Sequence, residues 1–117
     1  MYGVQITVTG DIRIVEFTND TALKVMQSVV GGYITGTPIS ERWWGIIDMV
    51  ANDEGLLVGL PINPLATLLA GSPIVGDVFV TGVADDEGYT TSVPQEFIDL
   101  VADELTDSEI ERLSLAS

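Results

Sequence analysis

Hydrophobic and polar positions alternate with a period of two at the start of the chain. In Tyr2-Gly3-Val4-Gln5-Ile6-Thr7-Val8-Thr9, Val4, Ile6 and Val8 share one face, which predicts a strand with one buried side. Gly10-Asp11 predicts a turn. Ile12, Ile14 and Glu16-Phe17 continue as a returning strand, so the chain opens on a hairpin. The period then lengthens. Asn19-Asp20-Thr21 offers short polar side chains to the orphan amides of a first helical turn. Leu23, Met26 and Val30 fall on one helical stripe, with Ala22 and Val29 beside it. Gly31-Gly32 predicts the stop, because glycine enters the left-handed region without a Cβ penalty. Gln27 is a lone polar group in this helix. It reads as a solvent-facing or backbone-bonding amide, with a ligand contact as the alternative.

The middle of the chain reads as extended structure around an acidic turn. Tyr33 to Thr37 is extended and Pro38 to Arg42 is a loop. Trp43-Trp44 opens a strand that continues to Ala51. Neighbours in a strand face opposite ways, so one tryptophan is expected in the core and the other exposed or at an interface. Ile46, Asp48 and Val50 take one face, Ile47, Met49 and Ala51 the other, with Asp48 at the rim. Asn52-Asp53-Glu54-Gly55 is expected to close a hairpin, Gly55 supplying a positive φ. Leu56 to Leu60 then returns as a strand until Pro61 ends the ladder. Asn63 is placed to cap a helix whose first residue is Pro64, with Leu65, Leu68 and Leu69 buried and Gly71 at its end.

Asp77 to Ala84 is the clearest strand, with Val78, Val80 and Gly82 on one face and Phe79, Thr81 and Val83 on the other. The acidic turn Asp85-Asp86-Glu87-Gly88 follows. Val83-Ala84-Asp85-Asp86-Glu87-Gly88 matches Val50-Ala51-Asn52-Asp53-Glu54-Gly55 thirty-three positions earlier. The flanks do not align, so this is repeated turn chemistry rather than duplication. Ser92-Val93-Pro94-Gln95 has the form of a capping box, leading a helix that turns Phe97, Ile98, Val101 and Leu105 inward. Thr106-Asp107-Ser108-Glu109 is a second box before a short helix with Ile110 and Leu113. The fold expected is α+β: a mixed, mostly antiparallel sheet of five to six strands with packed helices and a short acidic C-terminal helix pair. Residues 1–105 form the domain, and 106–117 an acidic helix packed on it.

Composition narrows the chemistry. The 117 residues are 46% hydrophobic, enough to bury a continuous core as one domain. No apolar run is long enough to span a bilayer and no signal peptide is expected. There is no cysteine, which removes disulfides and thiolate chemistry and fits a cytoplasmic setting. There is no histidine either, so the commonest general base and transition-metal ligand is missing. Eighteen acids against four bases give a formal charge of −14. Such a field repels nucleic acid and anionic membrane and draws basic protein surfaces. The bland alternative is that the acids keep a hydrophobic small domain in solution, in a salty cytoplasm for instance. Ten of the acids lie at or beyond Asp85, opposed there by Arg112 alone.

The two acidic turns lack the alternating oxygen ligands and closing glutamate of an EF-hand. No phosphate-binding glycine loop occurs, and the single lysine, Lys24, lies within a helix. Carboxylates on turn tips stay water-exposed, poor ground for paired acid–base work. The helix start at Asn63-Pro64 could hold an anion, although Pro64 removes one amide and the overall field opposes it. The expectation is therefore no enzyme, no cofactor and no metal.

Four segments carry a family resemblance: Gln27-x-x-Val30-Gly31-Gly32-x-Ile34, Asn52-x-Glu54-Gly55-x-Leu57, Gly59-Leu60-Pro61-x-Asn63-x-x-Ala66 and Gly76-Asp77-Val78-x-Val80-x-Gly82. Across about Thr21 to Gln95 the chain resembles a family of small proteins encoded by bacteriophages and by actinobacterial and firmicute genomes, grouped as a domain of unknown function. The resemblance implies a compact α+β domain with an accessory role in an infected host cell. It brings no activity and no catalytic residues. The Trp43-Trp44 pair and the acidic C-terminal extension depart from it.

Two functions follow as expectations. The first is a phage-type, non-enzymatic accessory protein that binds a host protein with a basic surface, such as a nucleic-acid-binding or defence factor. Trp43 or Trp44 would be its aromatic anchor, and Asp99, Asp103, Asp107 and Glu111 its acidic contacts. The second is a small-molecule or nucleotide-binding module, for which Gln27, Asn52 and Asn63 are the candidate positions. A ligand clasped between protomers would make that second form a homodimer. A virion or assembly component is a third, structural reading.

Overall fold

The computed structural model describes residues 1–101. Five strands form one sheet: β1 (Tyr2–Ile6), β2 (Ile12–Glu16), β3 (Ile34–Gly36), β4 (Ile47–Asn52) and β5 (Val78–Gly82), in the order β2-β1-β5-β4-β3. All four pairings are antiparallel. Helix α1 (Ala22–Val30) covers one face of the sheet; α2 (Pro64–Ala70) and α3 (described over 95–101) cover the other.

The central position of β5 follows from its composition. Val78-Phe79-Val80-Thr81-Gly82 has no charged residue, and all five are buried, as a strand covered on both faces requires. Its two faces define two cores. Val78 and Val80 join Val4, Ile6, Ile47, Met49 and Ala51 beneath α2 and α3. Phe79 points to the opposite side, where it packs with Phe17, Ala22 and Met26 under α1. The Phe17 and Phe79 rings meet edge to face at 5.8 Å. Gly3 is required beside them, because a Cβ at this position would run into the Phe79 ring.

Several local expectations change in the folded chain. The apolar stripes of both helices keep Met26, Val30 and Leu69 inward as expected but each loses a leucine to solvent. Ala22, Met26 and Val30 of α1 are buried and Leu23 is exposed; Ala66, Leu69 and Ala70 of α2 are buried and Leu68 is exposed. In both helices alanines take inward positions, Ala22 in α1 and Ala66 and Ala70 in α2. Hydrophobicity does not distinguish the two stripes, since leucines and valines occupy both.

No strand forms at Leu56 to Leu60. Residues 53–59 are a run of turns, in which the Val58 amide donates to the Glu54 carbonyl at 3.0 Å and the Leu60 amide to the Gly55 carbonyl at 2.9 Å. Both edges of β4 are already paired, with β3 and β5, so a returning strand has no partner there. Gly55 does not adopt a positive φ; that role falls to Gly59, at 73°. Gly55 is instead needed for close packing, because a Cβ would approach Val75 Cγ2 to 2.9 Å.

The strand expected from Trp43 begins only at Ile47. Residues 41–46 turn, with the Trp43 carbonyl accepting from the Ile46 and Ile47 amides and Gly45 at φ 78°. Ser92 does not cap α3 as a capping box would. Its Oγ accepts from the Tyr2 amide at 2.8 Å and ties the 91–93 segment to the start of β1, while the Val93 amide donates to the Tyr2 carbonyl. The C-terminal helix pair, with Leu105, Ile110 and Leu113, lies outside the described residues.

Candidate functional site

The resemblance motifs converge on three joints. At the first, α1 ends at Gly31, whose φ of 77° lets its amide donate back to the Gln27 carbonyl. The Gly32 amide reaches the same carbonyl at 3.1 Å. Asn52, at the end of β4, then caps the helix from across the sheet. Its Nδ2 donates to the Val30 carbonyl at 3.1 Å, while its Oδ1 accepts the Glu54 amide at 2.8 Å. Gly32 leaves room for that amide group, since a Cβ there would sit 3.0 Å from Asn52 Nδ2. Asn52→Ala should lower the unfolding free energy by about 1–2 kcal/mol, measured by urea denaturation, because a helix-end carbonyl loses its donor.

The second joint is Asn63. Its Oδ1 accepts the Ala66 amide at 3.1 Å, the N-cap bond of α2. Its Nδ2 donates to the Ile6 carbonyl at 3.0 Å and the Gly76 carbonyl at 2.9 Å. The side chain is fully buried. One amide thus ties α2, the end of β1 and the entry to β5 together.

The third joint is Gly82 at the end of β5. Its amide donates to the Thr91 carbonyl at 3.1 Å. A Cβ at this glycine would overlap the Thr91 hydroxyl and the Ser92 carbonyl oxygen. The second acidic turn between them reproduces the chemistry of the first. Asp85 Oδ1 accepts the Glu87 amide at 2.9 Å, as Asn52 Oδ1 accepts that of Glu54.

The remaining candidates divide between core and surface. Trp43 is buried and meets Phe97 edge to face at 5.1 Å, with the Arg42 guanidinium over its ring at 5.6 Å. It is therefore a core residue, not an exposed anchor. Trp44 is 74% exposed and takes the outward position. Gln27 is half-buried beside Gly32 and Tyr33 at a shallow hollow; it joins the first joint through its carbonyl, not its side chain. Asp99 is exposed and accepts from Gln95 Nε2 at 2.9 Å, one helical turn away. Asp103, Asp107 and Glu111 lie outside the described residues.

A surface feature that residue patterning missed lies beside β3. The 53–59 turns leave Leu56 83% and Leu57 88% exposed, with Val58 also outward. Leu56 and Leu57 line a groove of about 400 Å³ together with Thr35, Ala51, Ile74 and Val75. The apolar run was legible, but reading it as a strand hid its exposure. Among the described residues, no cluster of three His, Cys, Asp or Glu side chains is placed to hold a metal ion. No helix among them is long and apolar enough to cross a membrane.

An antiparallel sheet between helical layers, with asparagine joints at its ends and an acidic surface, defines a small α+β domain. The particular family is shown by a family model that matches residues 1–106. The chain belongs to the family described as Domain of unknown function (DUF3846). No curated protein and no solved structure matches it.

Proposed function

We propose that this protein is a phage-type, non-enzymatic accessory module that binds a basic surface on another protein in the cytoplasm of a host cell. The observation that carries the reading is its charge, −14 over 117 residues, of which ten of the eighteen acids lie from Asp85 onward. Carboxylates so arranged steer a basic partner into contact and discriminate against anionic ones. A nucleic-acid-binding or defence factor presents a surface of that kind, and Trp44 stands ready as an aromatic contact.

Salt and charge test this together. Capture of a partner from host lysate should weaken steeply as salt rises from about 0.1 to 0.5 M, as the screening length shrinks to a few ångströms. A variant with Asp99, Asp103 and Asp107 changed to Asn and Glu111 to Gln should lose at least about tenfold in affinity through reduced electrostatic steering and pairing. The same partner bound equally by the neutralised variant would remove the electrostatic reading.

A further inference from the structure

We propose that β3 and the groove beside it take an extended segment of the partner protein by strand addition, the segment carrying aliphatic and basic residues. This rests on the protein-binding reading above and names the mode of contact. The first observation is the hydrogen-bond phase of β3. It pairs with β4 as Ile34↔Asn52, Thr35↔Ala51 and Gly36↔Val50. The Asp53 amide donates to the Tyr33 carbonyl, and the Thr37 amide to the Met49 carbonyl. Inward bonding therefore falls on residues 33, 35 and 37, and antiparallel alternation turns the N–H and C=O groups of Ile34 and Gly36 outward. Those groups have no hydrogen-bond partner among the described residues. Thr35 and Gly36 are exposed, so the edge is open there among the described residues.

The second observation is the groove. It is lined by Thr35 and Ala51, register partners on one face of the sheet, and by the exposed Leu56 and Leu57. A strand added to β3 would point every second side chain into it, and apolar walls select aliphatic ones. The third is charge. Asp53 lines the same groove and Glu54 follows it on the same turn, so a basic residue of the incoming strand that reaches this part of the groove meets carboxylates. A second copy of this chain is disfavoured as occupant, since each would bring a net −14. The opposite edge, β2, carries exposed Arg13 and Glu16, charges of the kind that block strand pairing, whereas Ile34-Thr35-Gly36 carries none.

The test is an amide-resolved NMR titration of the full chain with a capped hexapeptide alternating lysine and valine. The Ile34 and Gly36 amides should shift and their hydrogen exchange should slow, with shifts also at Asp53, Leu56 and Leu57. Gly36→Pro removes an outward N–H that makes no ladder bond, so the fold should persist while affinity falls by about five- to tenfold. Leu57→Ser should weaken binding as well, and it changes a side chain exposed to solvent rather than the backbone. Shifts mapping elsewhere, equal binding by Gly36→Pro and Leu57→Ser, or equal binding of a glutamate–valine peptide would overturn the proposal. So would concentration-dependent shifts at Ile34 and Gly36 without peptide, which would make the edge a contact between copies. A lysate partner that the four-site acid variant loses but Gly36→Pro retains would leave the basic-partner reading standing and remove strand addition alone.

Discussion

Asn63→Ala should destabilise the protein by about 2–4 kcal/mol, because it removes three buried hydrogen bonds to backbone groups at once. The Ala66 amide loses its cap, and the Ile6 and Gly76 carbonyls each lose a side-chain donor where Asn63 is fully buried. A surface N-cap alone is worth about 1 kcal/mol, so most of the expected loss belongs to the two carbonyls. Asn63→Asp separates these contributions. It keeps an oxygen for Ala66 but sets a carboxylate against two carbonyl oxygens, and should be at least as damaging at neutral pH. Urea denaturation with linear extrapolation measures both. A loss below about 1 kcal/mol for the alanine variant would mean that the amide does not join β1, α2 and the entry to β5 in solution.

Gly82→Ala should cost about 2–4 kcal/mol by overpacking. The added methyl would meet the Ser92 carbonyl oxygen, a backbone atom held in place by the Tyr2–Val93 and Tyr2–Ser92 bonds on either side of it. Moving that segment would also disturb the Gly82–Thr91 bond and the approach to α3. Gly36→Ala is the matched control: it lies in a strand of the same sheet with open space at its Cβ position, and should change stability by no more than about 0.5 kcal/mol. Equal behaviour of the two variants in thermal unfolding would show that the 91–93 segment does not lie against β5.

The two predictions rest on residues that were legible for different reasons. Asn63 was readable as a cap, because Asn followed by Pro at a helix start is a local preference. Its other two bonds were not readable, since Ile6 is 57 residues away in sequence. Gly82 read only as one position of an alternating strand, and the need for glycine there comes from a segment that crosses its face. Asn52 is similar. Its turn was anticipated from Asn52-Asp53-Glu54-Gly55, while its capping of α1 joins residues 22 apart.

Periodicity and turn chemistry alone determined the strands around Val4, Met49 and Val80, the helices ended by Gly31 and Gly71, and the α+β class, because these depend on neighbours within a few residues. Composition likewise settled the acidity and the lack of histidine and cysteine. Only the tertiary structure decided that Leu56 to Val58 stays out of the sheet, since that depends on β3 and β5 having taken both edges of β4. It also decided that Trp43 is core while Trp44 is surface, and that Ala22 and Ala66 face inward in place of Leu23 and Leu68. The physical reason is common to all three: apolar residues were plentiful on every side of these elements, so local pattern could not choose among them, and burial was allotted by which partners the fold brought together.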